Sequence, residues 1–219
     1  MPTALVAGAT GLVGRQLVRL LAGDDDYERV IVVARRPLDP APDRVEQRIF
    51  PFERLHDNRR HLKADHVFCA LGTTRKDAGS RDRFRQVDVE LTRLIAHLSR
   101  EHGARHFSLV SAIGASASSP FFYNRVKAEA EQAVRDAGFP SGAILRPSVL
   151  GGHREGRPME HLARLLMRAA PARWRTIDAA DVARAAIVIA RTETPGWQVL
   201  ESDRIRELAR HHPGHDAGH

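Results

Sequence analysis

Apolar residues recur along this chain with two periods that take turns. Short apolar runs, rich in valine and isoleucine, occupy positions 4–7, 30–34, 45–50, 66–71, 106–111, 143–145 and 198–200. Runs of that length suit strands covered on both faces. Between them, apolar residues recur every three or four positions. Positions 12–21 set leucine and valine at helical intervals, and positions 81–100 put Val87, Leu91, Leu94, Ile95 and Leu98 on one stripe. Positions 123–137, 160–169 and 180–191 read as further helices, the second ending before Pro171.

Strands alternating with helices predict βαβ units. The expected class is therefore α/β: a Rossmann-type, doubly wound, mainly parallel seven-stranded sheet with helices on both faces. In that topology ligands bind beyond the carboxyl ends of the strands, beside the first strand. With no internal repeat or long linker, residues 1–210 are expected to form one nucleotide-binding domain, its C-terminal part shaping a small substrate pocket. Residues 151–158, with three glycines and a proline, read as a mobile connection, and 211–219 as a fraying tail.

Composition narrows the classes of function. No apolar run reaches the ~20 residues needed to cross a bilayer, and Met1 leads straight into a strand, so no membrane association and a cytoplasmic location are expected. The single cysteine, Cys69, sits in an apolar run and reads as a buried thiol. The net charge of +7 comes almost wholly from arginine, with lysine only at 63, 76 and 127, and the arginines are interleaved with acids. That pattern argues for a solvated surface rather than a nucleic-acid interface. The histidines of the tail lack carboxylate or thiolate companions, and no metal site is expected.

Directly after the first strand run stands Gly8-Ala9-Thr10-Gly11-Leu12-Val13-Gly14. At a strand-to-helix turn, the first glycine permits the tight turn, the second lets a pyrophosphate approach the backbone, and the third lets helix and sheet pack closely. The free amides of the following helix, at Leu12, Val13 and Gly14, would face the anion. The ribose-reading position lies about 20 residues further on, where an acid favours NAD. This chain has Arg35 and Arg36 there. A guanidinium grips an added phosphate with paired charge-assisted bonds, so NADP is expected, with NAD as the alternative.

Tyr123 and Lys127 are four residues apart, stacked on one helical face, and Ser111 lies twelve residues before Tyr123 at the end of a strand. A free phenol titrates near ~10 and needs a neighbouring positive charge to exchange protons at neutral pH. Lys127 can supply that charge and hold the nicotinamide ribose, while Ser111 would hydrogen-bond the substrate oxygen.

Together the glycine string, Ser111, Tyr123 and Lys127 resemble the short-chain dehydrogenase/reductase superfamily. Residues 69–80 and Leu145-Arg146-Pro147-Ser148 are similar to its atypical members, grouped around the Tat-interacting protein of 30 kDa and its bacterial NAD(P)-binding relatives. The resemblance implies that Leu71, Gly72 and Thr73 flank the adenosine and its ribose, that Phe52 lies by the adenine, and that Pro147, Ser148 and Val149 line the nicotinamide. The chain departs from classical members, which carry Asn-Ala-Gly where Ala70-Leu71-Gly72 stands here, and lacks the long substrate domain of extended ones. The expected function is an NADP(H)-dependent oxidoreductase interconverting a carbonyl and an alcohol of a small-molecule substrate, as monomer or homodimer. The alternative is a non-catalytic NADP(H)-sensing regulatory protein.

Overall fold

The computed structural model describes residues 1–72, 79–151 and 175–212. Its centre is a seven-stranded sheet of β1 (Thr3–Ala7), β2 (Arg29–Ala34), β3 (Val45–Ile49), β4 (His66–Cys69), β5 (His106–Val110), β6 (Ser141–Arg146) and β9 (Gly196–Glu201). Two short strands, β7 (Leu150–Gly151) and β8 (Ile177–Asp178), form a separate parallel ladder. The large sheet runs β3-β2-β1-β4-β5-β6-β9, with every neighbouring pair parallel. The chain adds strands on one side of β1 as far as β3, then crosses to β4 on the other. The reversal opens a crevice at the carboxyl ends of β1 and β4.

Alternation along the strands supplies two cores. Ala4 and Val6 of β1 join Val30 and Val32 of β2 under α1 (Leu12–Ala22), α5 (Ala179–Thr192) and α6 (Ser202–Ala209). Leu5 and Ala7 join Ile31, Val33, Val67 and Phe107 on the opposite face. That face is covered by α4 (Phe122–Arg135) and by one long helix: α2 (Arg81–Arg85), a π-helical stretch Gln86–Leu91, and α3 (Thr92–Glu101). Polar caps start two of these helices. Ser80 Oγ accepts from the Arg83 amide, and Asp178 Oδ1 from the Ala180 amide.

All seven expected strands are present, each bound within two residues of its expected place. The helix expected at 160–169 and all but Gly151 of the expected mobile connection lie outside the described residues. So do residues 213–219, whereas His211 and His212 are anchored: their amides donate to Leu208 and Ala209, and His212 is buried. The long helix departs from the uniform period expected over 81–100. In the π stretch Val87 is half-buried, while Asp88 and Val89 are both buried.

Candidate active site

The glycine loop fills the crevice between β1 and β4, and its three glycines are bare for different reasons. Gly8 has a φ of +84°, and a Cβ there would lie 2.4 Å from the Ala70 carbonyl oxygen. A Cβ on Gly14 would lie 2.1 Å from the Gly8 carbonyl oxygen, so only glycine lets α1 pack this close to the turn. Gly11 differs. It is exposed, and a Cβ would come no nearer than 3.4 Å to other atoms of the described residues, so nothing among them demands its bareness. No side chain caps α1, its first turn holds no acid, and the Gly11 amide is used by the Gly8 carbonyl at 3.0 Å. Val13 points into the core and Leu12 packs against it, so these residues can offer a ligand only their backbone. A cradle with one glycine whose missing side chain leaves open space fits a pyrophosphate.

Beyond β2, Arg35 and Arg36 are both exposed. The Phe50 amide donates to the Ala34 carbonyl and ties the chain after β3 to the end of β2. That places Phe52 beneath Arg35, whose guanidinium carbon is 5.6 Å from the ring centroid. A cation and an aromatic face thus meet on the side of the crevice where the second strand ends.

On the other side, Leu71 is buried and Gly72 exposed after β4; Thr73 lies outside the described residues. Tyr123, in the first turn of α4, is 39% exposed and packs on Phe84. Lys127 Nζ lies 5.8 Å from the Tyr123 ring centroid and 2.6 Å from Asp88 Oδ1. Burial alone would push the ammonium's pKa down, but Asp88 and Tyr123 outweigh it and hold it above the usual lysine value. A Cβ on Gly72 would stand 3.6 Å from Lys127 Nζ, so the ion pair lies against the end of β4.

Ser111 follows β5, and its Oγ donates to Glu131 Oε1 at 2.5 Å. Arg146, at the end of β6, clamps the same carboxylate from Nε at 2.9 Å and Nη2 at 2.6 Å. The hydroxyl is therefore turned toward an acid one helical turn past Lys127. Pro147 is buried, its carbonyl accepting from the Ile113 amide. Ser148 is tied down at both ends, its amide to Ser202 Oγ and its hydroxyl to the Arg175 carbonyl. Val149 is 59% exposed, the one side chain of the three open to a ligand.

Asp88, Glu131 and Arg146 were not expected from the sequence. Glu131 carried a faint signal, since it continues the Tyr123 and Lys127 spacing by another four residues. Asp88 carried none, because nothing in the local spacing pairs it with Lys127, 39 positions away.

A parallel sheet with a glycine cradle at its switch point defines a dinucleotide-binding protein of the Rossmann type. The model of the NAD(P)H-binding family matches residues 8–193, and the chain belongs to that family. It is 33% identical over 220 residues to Protein HTATIP2 of Rattus norvegicus, covering 95% of this chain and 90% of the relative. It is 35% identical over 159 residues to the mitochondrial protein FMP52 of Debaryomyces hansenii, covering 70% of this chain and 69% of that protein. Among solved structures, the Bordetella bronchiseptica enzyme WbmG in complex with NAD has a TM-score of 0.71 at 14% identity, over 100% of this chain and 79% of that one. MoeE5 in complex with UDP-glucose and NAD has a TM-score of 0.70 at 18% identity, over 97% and 82%. These two likenesses speak for the fold alone.

The cytoplasmic expectation is corrected by these relatives, since FMP52 proteins of several fungi are named mitochondrial. That no described helix is long and apolar enough to cross a membrane says nothing of the compartment, which is set by address signals rather than by the fold.

Proposed function

We propose that this protein is an NADP(H)-dependent oxidoreductase that interconverts a carbonyl and an alcohol, with Tyr123 exchanging the proton. The observation that carries this reading is a half-exposed phenol above the buried, charged Lys127, on the sheet edge that also holds the glycine cradle. In this reading the backbone from Gly8 to Gly14 binds the pyrophosphate, with Thr10 at the exposed tip. Arg35 grips the 2′-phosphate with Arg36 beside it, Phe52 supports the adenine, and Leu71 to Thr73 flank the adenosine ribose. Pro147, Ser148 and Val149 line the nicotinamide, and the C-terminal part of a single domain shapes the pocket.

Bound, the nicotinamide would supply or accept the hydride. The residues handle the proton: Tyr123 gives its phenolic proton to the developing alkoxide or takes it from the alcohol, and Lys127 stabilises the phenolate and holds the nicotinamide ribose. Ser111 is assigned to the substrate oxygen, where a hydroxyl turned from Glu131 can donate to a carbonyl.

Ser111 also favours a second reading, an NADP(H)-sensing regulatory protein. A hydroxyl whose proton is given to Glu131 has none for a carbonyl substrate. Following NADPH absorbance across a broad panel of aldehydes and ketones separates the two. Saturable consumption supports the enzyme; tight NADPH binding with no turnover on any compound overturns it in favour of the sensor.

A further inference from the structure

Asp88 lies in the π-helical stretch between α2 and α3. A π turn carries one residue more than an α turn, rotates the helix face that follows, and occurs mostly at functional positions. Here a carboxylate stands in a face otherwise made by Phe84, Val89, Leu91 and Ile95. The Asp88 side chain is 0% exposed, and that of Lys127 8%. Hydrophobic residues of similar volume would fill the space without the desolvation cost of two buried charges, so packing does not explain the pair.

Among the described residues, the groups around the ammonium come from three elements and the end of β4. Asp88 Oδ1 faces it at 2.6 Å from the π stretch, and the Tyr123 ring at 5.8 Å from its own helix. Cys69 of β4 lies near, its thiol pushed up by burial and so neutral, and a Cβ on Gly72 would stand 3.6 Å from the ammonium. Glu131, one turn further along α4, is engaged by Arg146 and Ser111. Among these groups Asp88 is the carboxylate in direct contact with the lysine.

We propose that Asp88 is a positioning residue for the proton-transfer pair: its carboxylate is the counter-charge that keeps the buried Lys127 amine protonated and fixed beneath Tyr123. The catalytic consequence rests on the oxidoreductase reading; the control of Lys127 by Asp88 does not. Asp88 touches neither substrate nor cofactor in this account and acts through Lys127.

The chain has three lysines, Lys63, Lys76 and Lys127, so protein labelled with ¹³C at lysine Cε gives three signals, and loss of one in Lys127→Met assigns Lys127. In the parent, the Lys127 signal is expected to keep its ammonium shift at least as far into alkali as the other two. In Asp88→Asn its midpoint is expected to fall by about two pH units, within the range that burial imposes on an unpaired amine. NADPH affinity, flat between pH 6 and 9 in the parent, should then decline about tenfold across that range as the ammonium is lost. Asp88→Glu should restore most of the parental behaviour.

A purely structural aspartate would lower affinity equally at every pH. An unshifted Lys127 titration in Asp88→Asn, or a pH-independent loss of affinity, overturns the proposal. Should Asp88→Asn fail to fold, recovery of folding in Asp88→Asn/Lys127→Met traces the failure to the unpaired ammonium. Failure of that double variant while Lys127→Met folds overturns the proposal. The lysine titration needs no substrate or cofactor, so it stands or falls apart from the oxidoreductase reading.

Discussion

At the residue scale, the three glycines of the cradle show that one residue type can be required by the fold at one position and left open for a ligand at another. The Cβ distances separate the two demands. Gly14→Ala is expected to cost about 3 kcal/mol, because the added methyl drives into backbone that cannot step aside. Gly11→Val should cost at most about 1 kcal/mol, on the scale of losing a good N-cap residue, yet abolish measurable NADPH binding. Denaturant unfolding and calorimetry on both variants check this contrast; a Gly11→Val protein that binds NADPH like the parent would misassign the cradle. Chemistry carried by local spacing, as in the glycine string or Tyr123 with Lys127, is legible in a sequence because a turn or a helix converts spacing directly into geometry. The partners of Lys127 and Ser111 are not. Asp88 meets Lys127 across 39 positions and Ser111 meets Glu131 across 20, distances over which only the tertiary fold decides what touches.

At the element scale, the buried strands announce themselves through continuous apolar runs, and the helices between them mark the crossovers that parallel strands need. Elements without a period were missed for that reason: β7 and β8 have two residues each, and α6 reads SDRIRELA, with apolar groups too sparse to mark a stripe. The π stretch was missed because nothing in its composition departs from an ordinary helix. In the proposed reading, the edge formed by the ends of β2 and β3 carries the cofactor preference. There Arg35 stands over Phe52, and an exposed guanidinium resting on a ring keeps its donors free for a phosphate. Arg35→Ala is expected to weaken NADPH by on the order of 1.5 to 3 kcal/mol, the scale of a hydrogen bond to a charged group, and to leave NADH nearly unchanged. Titration of both cofactors against both proteins decides it, and equal losses would remove Arg35 from the phosphate site.

At the scale of the whole molecule, the two ends of the sheet have divided their duties. The carboxyl ends hold the candidate site, while the amino ends hold a polar network that runs from buried histidines to partly exposed charges. With its proton on Nε2, His66 donates to Glu193 Oε1 at 2.8 Å and accepts from the Tyr27 hydroxyl at Nδ1, also at 2.8 Å. Arg105 binds both Glu193 and Asp65. Beside it, His106 is sandwiched between Ser141 and Ser108, and burial, with His66 adding to it, pushes its pKa down to about 3. A histidine held neutral in the folded state takes up a proton more readily once unfolded. Stability should therefore be full above the ordinary histidine value of 6.5, fall as pH drops from there, and level off near pH 3. The loss should be on the order of 5 kcal/mol, and His106→Asn should flatten the profile in chemical denaturation at a series of pH values; a parental slope in that variant would place the acid sensitivity elsewhere. Tyr123 is the residue on which the proposed chemistry turns. Its most direct test compares Tyr123→Phe with the parent in NADPH binding and in NADPH-dependent reduction of the best carbonyl compound found by screening. Loss of the exchangeable proton with the ring retained predicts unchanged affinity and a rate lower by ~10²- to 10⁴-fold; a Tyr123→Phe protein that reduces the same compound at the parental rate would contradict it.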